Sequence, residues 1–141
     1  MTVDRALHRI EPGERAAAIE TIRKALAGER GLVFAYLFGS FAEGGPFHDI
    51  DVAIFLDGGE PDVRDRRAFD LAGRLETALR LPVDVVTLNG RPATFRFHAC
   101  SGELLLVNDE DRLTQELERT MAEYFDLEPV LRRATREAFA E

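Results

Sequence analysis

Residues 36–56 read Tyr-Leu-Phe-Gly-Ser-Phe-Ala-Glu-Gly-Gly-Pro-Phe-His-Asp-Ile-Asp-Val-Ala-Ile-Phe-Leu, and they constrain the fold more than any other part of the chain. The runs Leu32–Phe38 and Ile50–Leu56 are short, continuous and rich in Val, Ile and Phe, which predicts two buried strands. Between them Gly39, Ser40, Gly44, Gly45 and Pro46 supply turn chemistry. Asp49 and Asp51 flank Ile50 at the start of the second strand. Side chains alternate along a strand, so both carboxylates emerge on one face with Cα atoms roughly 6.5 Å apart. Such a pair suits hard cations, since two-metal sites hold their ions about 3.5–4 Å apart. A glycine directly after a strand, Gly39, lets backbone amides approach a ligand closely. If Ser40 opens a short helix, free N–H groups and a hydroxyl face the same space as the aspartates. Anion donors on one side and cation ligands on the other fit a metal–nucleoside triphosphate.

Composition narrows the setting. A chain of 141 residues makes one domain with a core of its own, and 45% apolar with 31% charged residues is the balance of a soluble globular protein. Cys100 is the single cysteine, which excludes an intramolecular disulfide framework and a cysteine zinc cluster and fits a reducing cytoplasm. The N-terminus has no apolar signal region, and no run approaches the ~18 apolar residues of a membrane span. The net charge of −8 opposes direct binding of a nucleic-acid backbone. A nucleotide held through a cation is compatible with that charge, because the ion reverses the local sign.

Along the chain, residues 1–11 read as a loose lead-in, and Pro12 opens a helix whose stripe is Ala18, Ile19, Ile22, Ala25 and Leu26. After the second strand Asp57-Gly58-Gly59 is a turn, and Pro61 starts a helix buried through Ala68, Leu71, Ala72, Leu75, Ala78 and Leu79. Arg64, Arg66, Arg67 and Arg74 are expected on its solvated side, and Arg80 in its last turn, where it suits the helix dipole. Residues 81–88 predict a third strand, either parallel or antiparallel to its neighbour. Asp84 alternates with Val83 and Val85 there, a carboxylate costly to bury without a partner. Residues 91–100 read as a helix started by Pro92 and ended by Ser101-Gly102, and Glu103–Val107 as an edge strand. Asn108-Asp109 caps a further helix with Leu113, Leu117, Met121 and Tyr124 on its stripe. Residues 126–129 read as a cap and restart, followed by a last helix carrying Val130, Leu131, Ala134, Ala138 and Phe139. Cys100, Tyr124 and Phe125 are expected in the core, His48 at the end of a turn and His98 on a helix surface.

Gly39-Ser40 followed by a short gap and Asp49-Ile50-Asp51 resembles the signature of the DNA polymerase beta-like nucleotidyltransferase superfamily, and the chain length resembles its minimal nucleotidyltransferase (MNT) branch. The gap, residues 41–48, is slightly shorter than is usual there, and His48 stands where a serine is common. The resemblance implies an α/β (α+β) fold, a mixed β-sheet flanked by helices, with a C-terminal helical extension. It implies a nucleotidyltransferase core over residues 12–90 and a partner-binding part over 91–141. It further implies that Asp49, Asp51 and Asp84 are catalytic and bind Mg2+, Asp84 taking the place of the superfamily's third acid, and that Gly39 and Ser40 bind the phosphates of ATP.

The Gly-Glu-Leu-Leu-Leu stretch at 102–106 and Tyr-Phe-Asp-Leu-Glu-Pro at 124–129 resemble the C-terminal part of MNT antitoxins of HEPN/MNT toxin–antitoxin pairs. That implies transfer of AMP from ATP to a tyrosine of a HEPN ribonuclease toxin, in a hetero-oligomer with the toxin or a homodimer. Two alternatives stand beside it: an antitoxin that acts by occlusion without catalysis, and a small-molecule nucleotidyltransferase resembling the aminoglycoside-modifying enzymes.

Overall fold

Strand β1 (Leu32–Phe38) lies at the centre of the sheet because it is apolar on both faces, and helices cover both. The computed structural model describes residues 6–138. In chain order the elements are α1 (Pro12–Ala27), β1, α2 (Gly39–Ala42), β2 (Ile50–Leu56), α3 (Pro61–Leu79), β3 (Val83–Thr87), α4 (Ala93–Cys100), β4 (Glu103–Val107) and α5 (Glu110–Ala138). The sheet order is β3-β2-β1-β4. β1 pairs antiparallel with β2 and β4, whereas β2 and β3 are parallel, joined by the α3 crossover. The sheet is therefore mixed.

One face is packed by α1 and α3. Ile19, Ile22 and Leu26 of α1 and Ala68, Leu71 and Leu75 of α3 close over Leu37, Val52, Ile54, Val83 and Val85. Of the predicted stripe residues, Ala25, Ala72 and Leu79 are only partly buried, and Ala78 is exposed. The opposite face carries Phe34, Tyr36, Ala53, Phe55 and Leu88 under α4 and α5. Phe34 stacks on Phe55 with centroids 5.2 Å apart. Gly102, between α4 and β4, lies so close to β1 that a Cβ there would overlap the Leu37 carbonyl. No described helix is long and apolar enough to cross a membrane.

Several expectations are corrected. The restart at residues 126–129 does not occur: α5 runs through Pro129 without a break. Pro129 is exposed, so water can take up the carbonyl whose helical bond its missing N–H forfeits. Met121 and Phe125 lie exposed on α5 and Tyr124 is half-buried, because the face this turn packs on α4 carries Thr120 and Tyr124, and Met121 and Phe125 lie to one side of it. Cys100 is half-buried. Arg80 lies just past the end of α3 as a left-handed cap with φ 58°. Arg67 and Arg74 are not merely solvated: both pair with Glu29, at 3.0 and 2.8 Å, and tie α3 to the loop before β1. The lead-in is anchored where it is described, His8 bridging to Phe47 in antiparallel fashion, while residues 1–5 and Phe139 lie outside the described residues.

Candidate active site

At the end of the sheet where β1 finishes and β2 begins, the strand passes straight into a short helix. Gly39 has φ +78°, a conformation open to glycine and strained for L side chains. A Cβ at Gly39 would also overlap Oδ2 of Asp51. Two separate constraints, backbone conformation and close approach, therefore demand glycine at this position. α2 follows at once, with Ser40 exposed and Phe41 buried as its inward anchor. Arg15 of α1 donates to the Phe41 and Ala42 carbonyls at 3.3 and 2.9 Å, which fixes the C-terminal side of this short turn of helix. The ring of Phe41 meets Phe47 edge-on at 4.8 Å and holds the glycine turn against the core.

Asp49, Asp51 and Asp84 converge in front of this turn. Asp51 and Asp84 are register partners in the parallel β2–β3 pair, and Asp49 precedes Asp51 by one period of the strand. One carboxylate oxygen from each lies within 4.8 Å of the others. Asp49 and Asp51 are half-buried, but Asp84 is exposed, contrary to the expectation of an acid enclosed in an apolar strand. β3 is an edge strand, and at its mouth Asp84 opens to solvent, which removes the desolvation cost.

Burial, reinforced by the neighbouring Asp49 and Asp84 carboxylates, pushes the Asp51 carboxyl up to about 6. Acids that crowd one another in this way are arranged for a cation rather than for mutual stabilisation. The donor set, carboxylate oxygens only, fits Mg2+.

An aromatic wall that the sequence reading did not assign to the site borders it. Phe38 sits opposite Asp51 in register, and Phe95 and His98 of α4 meet its ring edge-on, at 5.8 and 5.7 Å. The one sequence signal for it was the i, i+3 spacing of Phe95 and His98 on a short helix.

A glycine–serine turn facing carboxylates on adjacent strands of a mixed sheet defines the class: a nucleotidyltransferase fold with a cluster of three acids. Residues 20–111 match the family model "Polymerase beta, Nucleotidyltransferase", and the chain belongs to that family. No curated protein matches the chain in sequence. Among solved structures it is similar to the Shewanella oneidensis complex of a tri-AMPylated HEPN toxin with MNT antitoxin, at 22% identity over 89% of this chain and 99% of that one, TM-score 0.67. It is also similar to a toxin–antitoxin structure with AMP-PNP, at 23% identity over 86% and 98% of the two chains, TM-score 0.69. A third, a mutant of the MntA toxin–antitoxin pair, reaches TM-score 0.70 at 22% identity over 86% and 98%. These likenesses establish the fold.

Proposed function

We propose that this chain transfers AMP from ATP to a hydroxyl of a protein partner, a tyrosine of a HEPN-type toxin, and so acts as an antitoxin. The observation that carries the reading is the convergence of Asp49, Asp51 and Asp84 in front of the Gly39-Ser40 turn, in a chain of this family. The similar structures support the partner and the nucleotide, since one holds a tri-AMPylated HEPN toxin and another AMP-PNP.

In this reading Asp49, Asp51 and Asp84 are the residues that would hold Mg2+. When bound, the cations neutralise charge on the phosphates and on the departing pyrophosphate. The Ser40 hydroxyl and the amides after Gly39 bind phosphate oxygens and orient the α-phosphorus. The acceptor oxygen forms a bond to that phosphorus, the bond to the bridging α–β oxygen breaks, and pyrophosphate leaves with its electron pair. The exposed Asp84 carboxylate receives the hydroxyl proton. The Phe38–Phe95–His98 wall excludes water from one side of the cluster.

Residues 12–90 form the nucleotidyltransferase core in this scheme, and residues 91–141 recruit the partner in the cytoplasm. The outer part of α5 supports that division: Met121, Phe125, Leu127, Val130 and Leu131 are all exposed. Intact-mass measurement of the toxin after incubation with this chain, Mg2+ and each NTP tests the proposal. A gain of AMP that disappears in Asp49→Ala/Asp51→Ala is the expected result. A tight complex with no mass gain would instead favour occlusion, a reading that the exposed apolar residues of α5 alone would satisfy.

A further inference from the structure

The two edges of the sheet are finished differently. On β4, Arg23 of α1 donates through Nε to the Leu105 carbonyl at 3.1 Å and pairs with Glu103 at 3.7 Å, so a helix side chain closes that edge. β3 lies parallel to β2, and in a parallel ladder alternate residues bond to the neighbouring strand. Ile50 N–H donates to the Pro82 carbonyl and Leu88 N–H to the Ile54 carbonyl, which sets the even-numbered residues against β2. Val83, Val85 and Thr87 therefore turn their peptide groups outward.

At the strand ends these are engaged: Val83 N–H donates to Glu76 Oε1 at 3.0 Å, and the Thr87 carbonyl accepts from Arg91 Nε at 3.2 Å. Between them Val85 directs both N–H and C=O into a groove of about 350 Å³ bounded by α3. Phe69 and Gly73 form the helical wall, and Phe69 is 78% exposed. An outward peptide group beside an exposed aromatic is the chemistry that an added strand recognises.

The groove also adjoins the acid cluster. Phe38, Asp51 and Asp84 are successive register partners across β1, β2 and β3, and Asp84 lines the groove. We propose that the β3 edge is where the acceptor docks: an extended segment of the partner protein pairs with Val85 as a fifth strand and sets its hydroxyl side chain beside Asp84. The proposal rests on the transferase reading above and names how the acceptor is presented to that site.

In an antiparallel addition the residue opposite Val85 exchanges both backbone hydrogen bonds, and its side chain points toward α3, against Phe69. The next residue lies opposite Asp84 on the face of the acid cluster, with Cβ atoms about 4.5–5.5 Å apart. Asp65, Glu76 and Asp84 outnumber Arg91 around the groove, so the segment that fits carries basic residues, an apolar residue toward α3 and the hydroxyl next to it. A helical acceptor segment has no free backbone groups to offer Val85.

Per-residue amide exchange on the full chain carrying Asp51→Asn, free and bound to a HEPN-type toxin, tests the proposal without catalysis. In the free chain the Val85 and Thr87 amides should exchange roughly 100-fold faster than those of Asp84 and Val86, and binding should slow both by at least about tenfold. Phe69→Arg, a change at an exposed position, should raise KM for the protein acceptor at least about tenfold while leaving the ATP-induced thermal shift unchanged. Failure to bind, or a complex in which Val85 exchange is unaltered and Phe69→Arg is neutral, overturns the docking edge. Nucleotide transfer persisting in that second case would leave the transferase reading intact. Protection of Val85 without any transfer by the unmodified chain would support the edge and sink the transferase reading.

Discussion

Asp51 is the residue whose chemistry is most altered by its surroundings. Burial first, then the Asp49 and Asp84 charges, raises its carboxyl from 3.8 to about 6. Without a cation the folded protein therefore loses stability as pH rises from 3.8 through about 6, because ionised Asp51 is better accommodated in the unfolded chain. Asp51→Asn should stabilise the metal-free protein at pH 7.5 by about 1 kcal/mol after allowance for solvent screening. It should also abolish the rise in Tm on adding Mg2+. In the unmodified protein that rise should shrink as pH falls through about 6, where the proton competes with the cation. Thermal melts with and without Mg2+ at pH 5 and 7.5 measure all three effects. Gly39→Ala meets both the positive φ and the Asp51 carboxylate, so it should cost about 1–3 kcal/mol and lower transfer at least about 100-fold. Chemical denaturation and the mass assay read these separately. The glycine and the paired acids were legible in the sequence because strand alternation and turn chemistry are local rules. The exposure of Asp84 was not, since it depends on β3 being an edge strand, which only the assembled sheet decides.

Among the elements, α3 does more than cross over the sheet. Its Arg67 and Arg74 clasp Glu29 in the loop before β1, and so orient the strand that ends in the glycine turn. Burial opposes ionisation of Glu29, but the Arg74 and Arg67 guanidiniums outweigh it and hold the carboxyl below its ordinary value. That contribution to stability is present above pH 4.5 and is lost as pH falls further. Glu29→Gln should therefore lower Tm at pH 7, with the difference from the unmodified protein vanishing toward pH 3. α5 shows where local reading stops. Pro129 after Asp126 looks like a helix break, yet at this exposed turn the helix continues through it. Its apolar periodicity is genuine, but it predicts burial only where something lies opposite. Tyr124 stacks on Phe97 at 4.0 Å, whereas Phe125, one residue on, meets that ring only edge-on at 6.1 Å and stays 54% exposed.

For the molecule as a whole, the described residues divide into a packed sheet with its acid cluster and an α5 arm that extends past it. The exposed apolar residues on that arm should be indifferent to folding and decisive for partnership. Val130→Glu with Leu131→Glu should change stability by less than about 0.5 kcal/mol but weaken toxin binding at least about tenfold, measured by calorimetry beside thermal melts. Strand order was beyond the sequence, because either sense of the β2–β3 connection fits a helix of that length. The parallel choice brings Asp84 level with Asp51. Central β1 has one more consequence, which concerns the growing polypeptide. During synthesis β1 is followed closely by its antiparallel partner β2, and the last acid of the cluster comes with β3. Its other edge waits for β4, which arrives only after α2, β2, α3, β3 and α4 have been made. The residues of the acid cluster are thus all made while one edge of the central strand still lacks its partner. The three acids are therefore made before β4, but the sheet that aligns them is complete only once β4 has joined central β1.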